Sequence, residues 1–430
     1  MLRNFLFLTS LILSTLVNGQ TVLINDVRIF NGVDAKLKHG NVLVKDGIIK
    51  KISKSEIVVT DEAIVIAGNN RVLSPGFIDL HAHLSLQHPL IQMNADPLVK
   101  GVYAGEAARF YLDSGFTTLR GAGGTHPDFA KAIEAGTIYG PRLYASGAIV
   151  SQTSGHGDMR KSFEPHPTME GNNPYLLGGV AIIADGVDQT LMAVRENLKS
   201  GATQIKIMGG GGVMSEYDPI HTLQPSPSEI RAAVQAASDW GTYVLAHSYT
   251  SEAITRLVKN GVKNIEHGNL IDDRTAKLVK KNNVVINAQV FLFSSAKNIA
   301  NMSENNKKKL QMVSEGLVNL IRLIKKYDIM TGFSTDLIFG AYTDVGKEFT
   351  ARSKFWTPAE VLKQATSNAA KIIRMSKLNR HGDFGEIREG WVADLVLING
   401  EPLEDISILE DKETAIALVM KNGVIVKNRL

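Results

Sequence analysis

The chain has no cysteine among its 430 residues. Disulfides, thiolate metal ligands and a lipid-modified cysteine are therefore excluded, and any metal has to be held by nitrogen and oxygen. An excess of either charge is also missing: 47 basic residues face 43 acidic ones, for a net charge of +4. With no basic stripe interleaved with aromatics, nucleic acid is not an expected partner. Low-complexity segments are absent, and the run Asn305-Asn306-Lys307-Lys308-Lys309 reads as a solvated helix end. The first residues fall short of a membrane span, which needs about 20 apolar residues. There, Arg3 precedes an apolar stretch from Phe5 to Val17, broken by Thr9, Ser10, Ser14 and Thr15 and followed by Asn18-Gly19. Charged start, short apolar centre and small-residue exit predict a secretory signal peptide over residues 1–19, with Gln20 as the new N-terminus. A buried strand or a retained anchor is the plainer reading of the same stretch. The expected location is secreted or periplasmic, with no membrane attachment once the signal is cleaved.

What is present is a globular composition, 44% hydrophobic and 21% charged, enough to bury a large core. Residues 20–75 and 383–430 share one texture, short β-rich runs joined by turns. Asp46-Gly47 and Asn422-Gly423, each between apolar runs, are hairpin signals. One small β-sandwich built from both termini is expected. Between them, over residues 76–382, strand, loop and helix repeat. Apolar strand candidates fall at Phe77–Leu80, Thr117–Leu119, Arg142–Ser146, Gln204–Met208, Tyr243–Ala246, Lys263–Glu266, Val284–Ala288 and Ile329–Phe333. Ser226-Pro227-Ser228-Glu229 and Thr357-Pro358-Ala359-Glu360 are capping boxes with proline at the first helical position. Eight strands alternating with helices predict an α/β fold, a (β/α)8 TIM barrel.

In such a barrel the chemistry sits at the C-terminal strand ends. Strand one ends in His81-Ala82-His83, and a side-chain period of two points both imidazoles the same way. On its own such a pair is equally a structural one. Strand four carries Lys206 among apolar residues, strand five ends in His247, strand six in Glu266-His267, and strand eight leads into Asp336. Strand seven, Val284–Gln289, offers no ligand. Four neutral imidazoles and a carboxylate suit Zn²⁺ or a similar divalent ion. A buried lysine tends toward its neutral amine, which can take up CO₂ as a carbamate; a snorkelling amine or a Schiff-base nucleophile is the alternative for Lys206. The run Gly209–Gly212 lacks the spacing of a phosphate-binding loop and reads as a flexible loop over the site, continued by Met214–His221.

The set HxH, Lys, His, His, Asp on strands one, four, five, six and eight resembles the amidohydrolase superfamily in its binuclear, carboxylated-lysine form. The resemblance covers nearly the whole chain after the signal. Locally it is strongest to the imidazolonepropionase-like and Xaa-Pro dipeptidase-like (prolidase) branch, through Pro75–His83, Ile205–Val213 and Ala246–Tyr249. True imidazolonepropionases lack the strand-four lysine, so Lys206 argues against that activity. The resemblance implies two divalent metal ions, most simply Zn²⁺. His81, His83 and Asp336 would hold one, His247 and His267 the other, with carboxylated Lys206 between them. It further implies Asp336 as the proton-transferring carboxylate. His156, in the polar loop after strand three, is a candidate for touching the substrate carbonyl or carboxylate, or else a surface histidine. Tyr249 is a candidate oxyanion donor, or a packing tyrosine. Arg120 is a candidate partner for a substrate carboxylate, or one half of an ion pair across the barrel mouth. The implied activity is hydrolysis of the amide bond of a dipeptide or N-acyl amino acid by a homo-oligomeric enzyme. Lactone, carbamate or phosphotriester hydrolysis at the same site is the alternative, and a non-catalytic substrate-binding protein of the same fold is the alternative of another class.

Overall fold

The computed structural model describes residues 20–60, 62–88, 96–169, 179–295 and 302–430. The signal peptide expected over residues 1–19 lies outside them. The chain opens with four strands, β1 (Val22–Ile29), β2 (Lys38–Lys45), β3 (Ile48–Ser53) and β4 (Ile64–Pro75). The barrel strands follow: β5 (Phe77–Ala82), β6 (Phe116–Gly121), β7 (Arg142–Tyr144), β8 (Ile149–Ser151), β9 (Ala181–Ile183), β10 (Ile205–Met208), β11 (Val244–Thr250), β12 (Asn264–Leu270) and β13 (Val285–Asn287). Three more, β14 (Leu395–Ile398), β15 (Ile416–Lys421) and β16 (Val424–Asn428), return to the first four.

Both ends of the chain form one seven-stranded sheet in the order β16-β15-β14-β4-β1-β2-β3. The two predicted hairpin turns take the left-handed backbone their sequences favour, with φ of 54° and 76° at Asp46-Gly47 and 51° and 75° at Asn422-Gly423. Their tips meet, since a Cβ added to Gly423 would lie 2.5 Å from the Gly47 Cα. A flat sheet would hold these tips far apart. The sheet instead curls on itself around Val42, Val44, Leu395, Leu418 and Met420, giving the sandwich as one continuous sheet.

The barrel strands pair in parallel as β5-β6-β7 and β10-β11-β12-β13. Two predicted strands differ. Arg142–Ser146 is regular only to Tyr144, because the Gln204 side chain donates to Tyr144 O (2.8 Å) and Ser146 Oγ (2.9 Å) where ladder bonds would run. β8 and β9 add to the β10 edge beyond it. Ile329–Phe333 is not a regular strand. Met330 O accepts from Ile286 and Phe333 O from Leu80, but the Gly332 N–H goes to Asn287 Oδ1 and the Phe333 N–H to Gln364 O. The segment closes the barrel with its carbonyls while its amides bond elsewhere.

Both predicted capping boxes are formed, at the starts of helices Pro227–Asp239 and Pro358–Lys363. The helix Glu304–Lys326 exposes Lys307 and Lys308 as expected of a solvated end, yet Asn306 and Lys309 are buried. No helix among the described residues is long and apolar enough to cross a membrane.

A buried ion pair ties barrel to sheet. Arg142 on β7 reaches Asp394 at 2.5 Å, with neither side chain more than 2% exposed, and also contacts Asn422 Oδ1 and Thr118 Oγ1. Arg142, near a strand end in the sequence, is therefore no substrate contact. Arg142→Ala leaves Asp394 buried and unpaired. Urea denaturation is expected to show a loss of about 3–5 kcal/mol.

Candidate metal centre and active site

Alternate residues Asp79, His81 and His83 share one side of the end of β5. Asp79, fully buried, accepts the His81 N–H (2.9 Å) and the N–H (3.2 Å) and hydroxyl (2.5 Å) of Thr335. Burial lifts its carboxyl to about 6, against those hydrogen bonds. The Asp336 N–H donates in turn to His81 O at 2.9 Å. Strand one and the Asp336 loop are thus locked together. Asp336 (φ 55°) and His267 (φ 79°) both sit in the left-handed region that non-glycine residues rarely enter. Such strain persists only where surrounding contacts impose it, and it clusters at functional sites.

The imidazoles are oriented from outside. His81 Nδ1 lies 2.6 Å from Glu266 Oε2, His83 Nδ1 2.9 Å from Gly123 O, and His267 Nδ1 2.8 Å from Gln289 Oε1. Each partner oxygen accepts, so each Nδ1 carries the proton and each Nε2 keeps its lone pair. Those lone pairs converge. His81 Nε2 is 3.1 Å from His83 Nε2, and Asp336 Oδ1 is 3.3 and 3.2 Å from the two. His267 Nε2 stands 3.9 Å from Asp336 Oδ2. Burial pushes His81 well below its ordinary pKa despite the attraction of Asp336, and takes His267 down to about 4. Neutral rings and a carboxylate facing each other call for a cation between them. The donor atoms of His81, His83 and Asp336 lie within 4.8 Å of one another and form a metal-binding group of nitrogen and oxygen donors.

His247 lies against this group, its ring centroid 4.6 Å from that of His267. Its Nε2 donates to Gly211 O at 3.2 Å, which leaves Nδ1 as the nitrogen with a lone pair. Burial, then the neighbouring His156, hold His247 well below the ordinary range. Lys206, on β10, is 1% exposed, and burial lowers its amine to about 8 although Glu266 and Asp336 pull the other way. All six side chains line one cavity of about 470 Å³, together with His156, Tyr249 and an apolar wall that includes Met208, Phe291, Phe293 and Leu310.

Residues 72–426 match the Amidohydrolase family. The chain belongs to that family. It is 30% identical over 371 residues to ochratoxinase of Aspergillus niger, covering 83% of this chain and 76% of that protein. A prolidase solved with N-methylphosphonate-L-proline matches at a TM-score of 0.87 and 32% identity, over 95% of this chain and 100% of that one. A Xaa-Pro dipeptidase with bound methionine matches at 0.83 and 26%, over 95% and 100%. The chain is an amidohydrolase of the prolidase-like branch, a hydrolase of C–N bonds.

The amidohydrolase cavity holds two of the three predicted substrate contacts. The Tyr249 ring lies 4.8 Å from His247 and 5.0 Å from His267. His156 stacks on His247 at 4.2 Å, its Nδ1 held by Ser215 Oγ (2.5 Å) with Asp218 Oδ2 at 3.5 Å. Arg120 is the exception. It is fully buried beneath the site, paired with Glu266 and donating to Leu80 O (2.7 Å) and Asn264 Oδ1 (2.6 Å). It supports the carboxylate that orients His81 and cannot meet a substrate carboxylate.

The run Gly209–Gly212 is buried and packed, not a flexible loop. A Cβ on Gly211 would lie 1.9 Å from Pro219 O, and one on Gly212 only 1.8 Å from His156 Nδ1. Gly212→Ala must therefore displace His156. The expected result is a fall in kcat/KM of about 10²-fold with metal content unchanged; metal analysis beside steady-state kinetics checks it. Sequence reasoning also passes over Asp79 and Gln289. Asp79 carries a signal, standing two residues before His81 on the same face. Gln289 is no ligand, yet it orients His267 and donates to Ser334 Oγ at 3.1 Å.

Proposed function

We propose that this amidohydrolase is a secreted or periplasmic binuclear metalloenzyme that cleaves the amide bond of a dipeptide or N-acyl amino acid. The convergence of the His81, His83 and Asp336 donor atoms within 4.8 Å, beside His247, His267 and buried Lys206, carries the reading. In it, His81, His83 and Asp336 would hold one ion, and His247 and His267 a second. The neutral amine of Lys206 would add to CO₂ and lose a proton, and the carbamate so formed would be a further anionic ligand beside the four imidazoles. Divalent ions bound there supply Lewis acidity to the scissile carbonyl and acidify water.

The chain's own groups do the rest. Asp336 accepts the proton of the attacking water and returns it to the departing amine. The Tyr249 hydroxyl donates to the carbonyl oxygen as charge builds on it. His156, fixed by Ser215 and Asp218, contacts the substrate carbonyl or carboxylate. The relatives named prolidase, Xaa-Pro dipeptidase and ochratoxinase support an amide substrate with an amino-acid leaving group.

The test reconstitutes residues 20–430 with zinc and bicarbonate and counts metal per chain. The same protein then meets dipeptides and N-acyl amino acids of varied C-terminal residue, and the freed amino acid is quantified. Two ions per chain with amino-acid release is the expected result. Fewer than two ions would sink the binuclear site, and silence across the panel with two ions bound would move the reading to lactones or esters.

A further inference from the structure

The run Asn305-Asn306-Lys307-Lys308-Lys309 reads as solvent-facing, but the helix Glu304–Lys326 turns two of its members inward. Asn306 and Lys309 stand three residues apart on one helix face, each 6% exposed. What they meet is one loop. Lys309 Nζ donates to Gly212 O (3.1 Å), Ser215 O (2.7 Å) and Asp218 O (3.0 Å), and lies 3.9 Å from Asp218 Oδ1. An ammonium has three N–H donors, and all three are used on that loop. The Asn306 amide, in the orientation that satisfies both its ends, donates to Val213 O and Ser215 O at 3.2 Å. The helix itself is seated on β12, two residues past His267. Asn269 Nδ2 donates to Val313 O at 3.1 Å, and a Cβ on Gly316 would lie 2.2 Å from Asn269 O.

The other side of the same loop holds His156. Ser215 Oγ is 2.5 Å and Asp218 Oδ2 3.5 Å from His156 Nδ1, and that carboxylate oxygen also accepts the Gly212 N–H at 2.8 Å. His156 in turn stacks on His247. Removing the ammonium leaves three carbonyls of buried residues without their donor, and such groups recover a hydrogen bond only by reaching water. The loop then leaves the helix, and Ser215 and Asp218 leave His156.

We infer that Lys309 is a positioning residue for the reaction: its ammonium holds residues 212–218 against the helix, so that Ser215 and Asp218 keep His156 in place on His247. This rests on the substrate contact proposed for His156 and extends it to a side chain that is not among the described lining residues of the cavity.

Lys309→Met, which keeps the length of the side chain without its charge, tests it. In metal-free protein, hydrogen–deuterium exchange over residues 212–218 is expected to speed up by at least about tenfold, with the strands carrying His81 and His267 unchanged. Zinc-loaded protein should keep the parent's metal per chain. On the panel compound that the parent cleaves fastest, kcat/KM is expected to fall by about 10- to 100-fold. His156→Ala shows how the loss of that contact divides between kcat and KM, and Lys309→Met should show the same division. Adding Lys309→Met to His156→Ala should cost less than about threefold more, because the two act through one contact. Ser215→Ala, which cuts the loop from His156 and leaves the ammonium in place, should give the same division without the faster exchange. Lys309→Gln, which can still donate to part of the loop, should show smaller effects in the same order and stands in where Lys309→Met does not fold. Unchanged exchange over 212–218 overturns the inference alone, as does a loss that multiplies in full with that of His156→Ala. Unaltered kinetics in His156→Ala remove the contact and the inference together. A parent that cleaves nothing in the panel overturns the amide-hydrolase reading and the inference with it.

Discussion

Asp336→Asn is expected to remove nearly all turnover, a loss on the order of 10²–10⁴ in kcat, the range set by a positioned proton-transfer group. The carboxylate has two jobs in the proposed reaction, as ligand and as proton carrier; an amide is a weaker, uncharged ligand and carries no proton at neutral pH. The substitution is also well suited to separating chemistry from folding. Asparagine has the same shape and tolerates the left-handed backbone at this position, where φ is 55°. The N–H bond to His81 O is a backbone bond and stays. Three readouts check the prediction: kcat of zinc-loaded protein, metal per chain and the thermal midpoint. A lost kcat, reduced metal content and, with both proteins metal-free, a midpoint no lower than that of the parent are expected. A variant keeping a tenth of parental kcat would remove Asp336 from the mechanism.

Lys206→Met should also be damaging, by about 10–100-fold in activity, the scale on which the loss of groups supporting a metal site is felt. The physical ground is its setting. Lys206 is 1% exposed within the apolar strand Ile205–Met208. Burial brings its pKa down to about 8. The neutral amine, the form that reacts with CO₂, is therefore far more abundant at neutral pH than for an ordinary lysine. At fixed dissolved CO₂, the rate of metal reconstitution should rise about tenfold per pH unit below 8 and level off above it. Methionine replaces the chain without its charge, so thermal stability should hold or increase while activity is lost. Short carboxylic acids, filling the place of the carbamate, should restore part of the activity of Lys206→Ala. Full turnover in either variant, or reconstitution indifferent to pH, would rule out the bridge.

The two variants also separate local from distant information. Lys206 stands out in the sequence because a lysine inside an apolar β run is costly unless something uses it. His81 and His83 stand out through the two-residue period of a strand. Arg120 meets the same criterion, a polar residue at the end of an apolar run, yet it points beneath the site. Its partner Glu266 lies 146 residues away, and only the closed barrel brings the two together. The four glycines from Gly209 read as flexible for a similar reason. Glycine permits freedom, but here it is required by Pro219 and His156, which occupy the space a Cβ would need.

Sequence alone determined the candidate donors, their order along the chain and the β-rich termini, because side-chain period and turn chemistry are properties of neighbouring residues. The tertiary structure decided which nitrogen of each imidazole faces inward. It also decided which charges are already paired, and that the sandwich expected from both chain ends is one continuous curled sheet. Glu266, Gly123 and Gln289 meet His81, His83 and His267 across 185, 40 and 22 residues of chain. A hydrogen bond reads distance in space, and that is set only when the barrel closes.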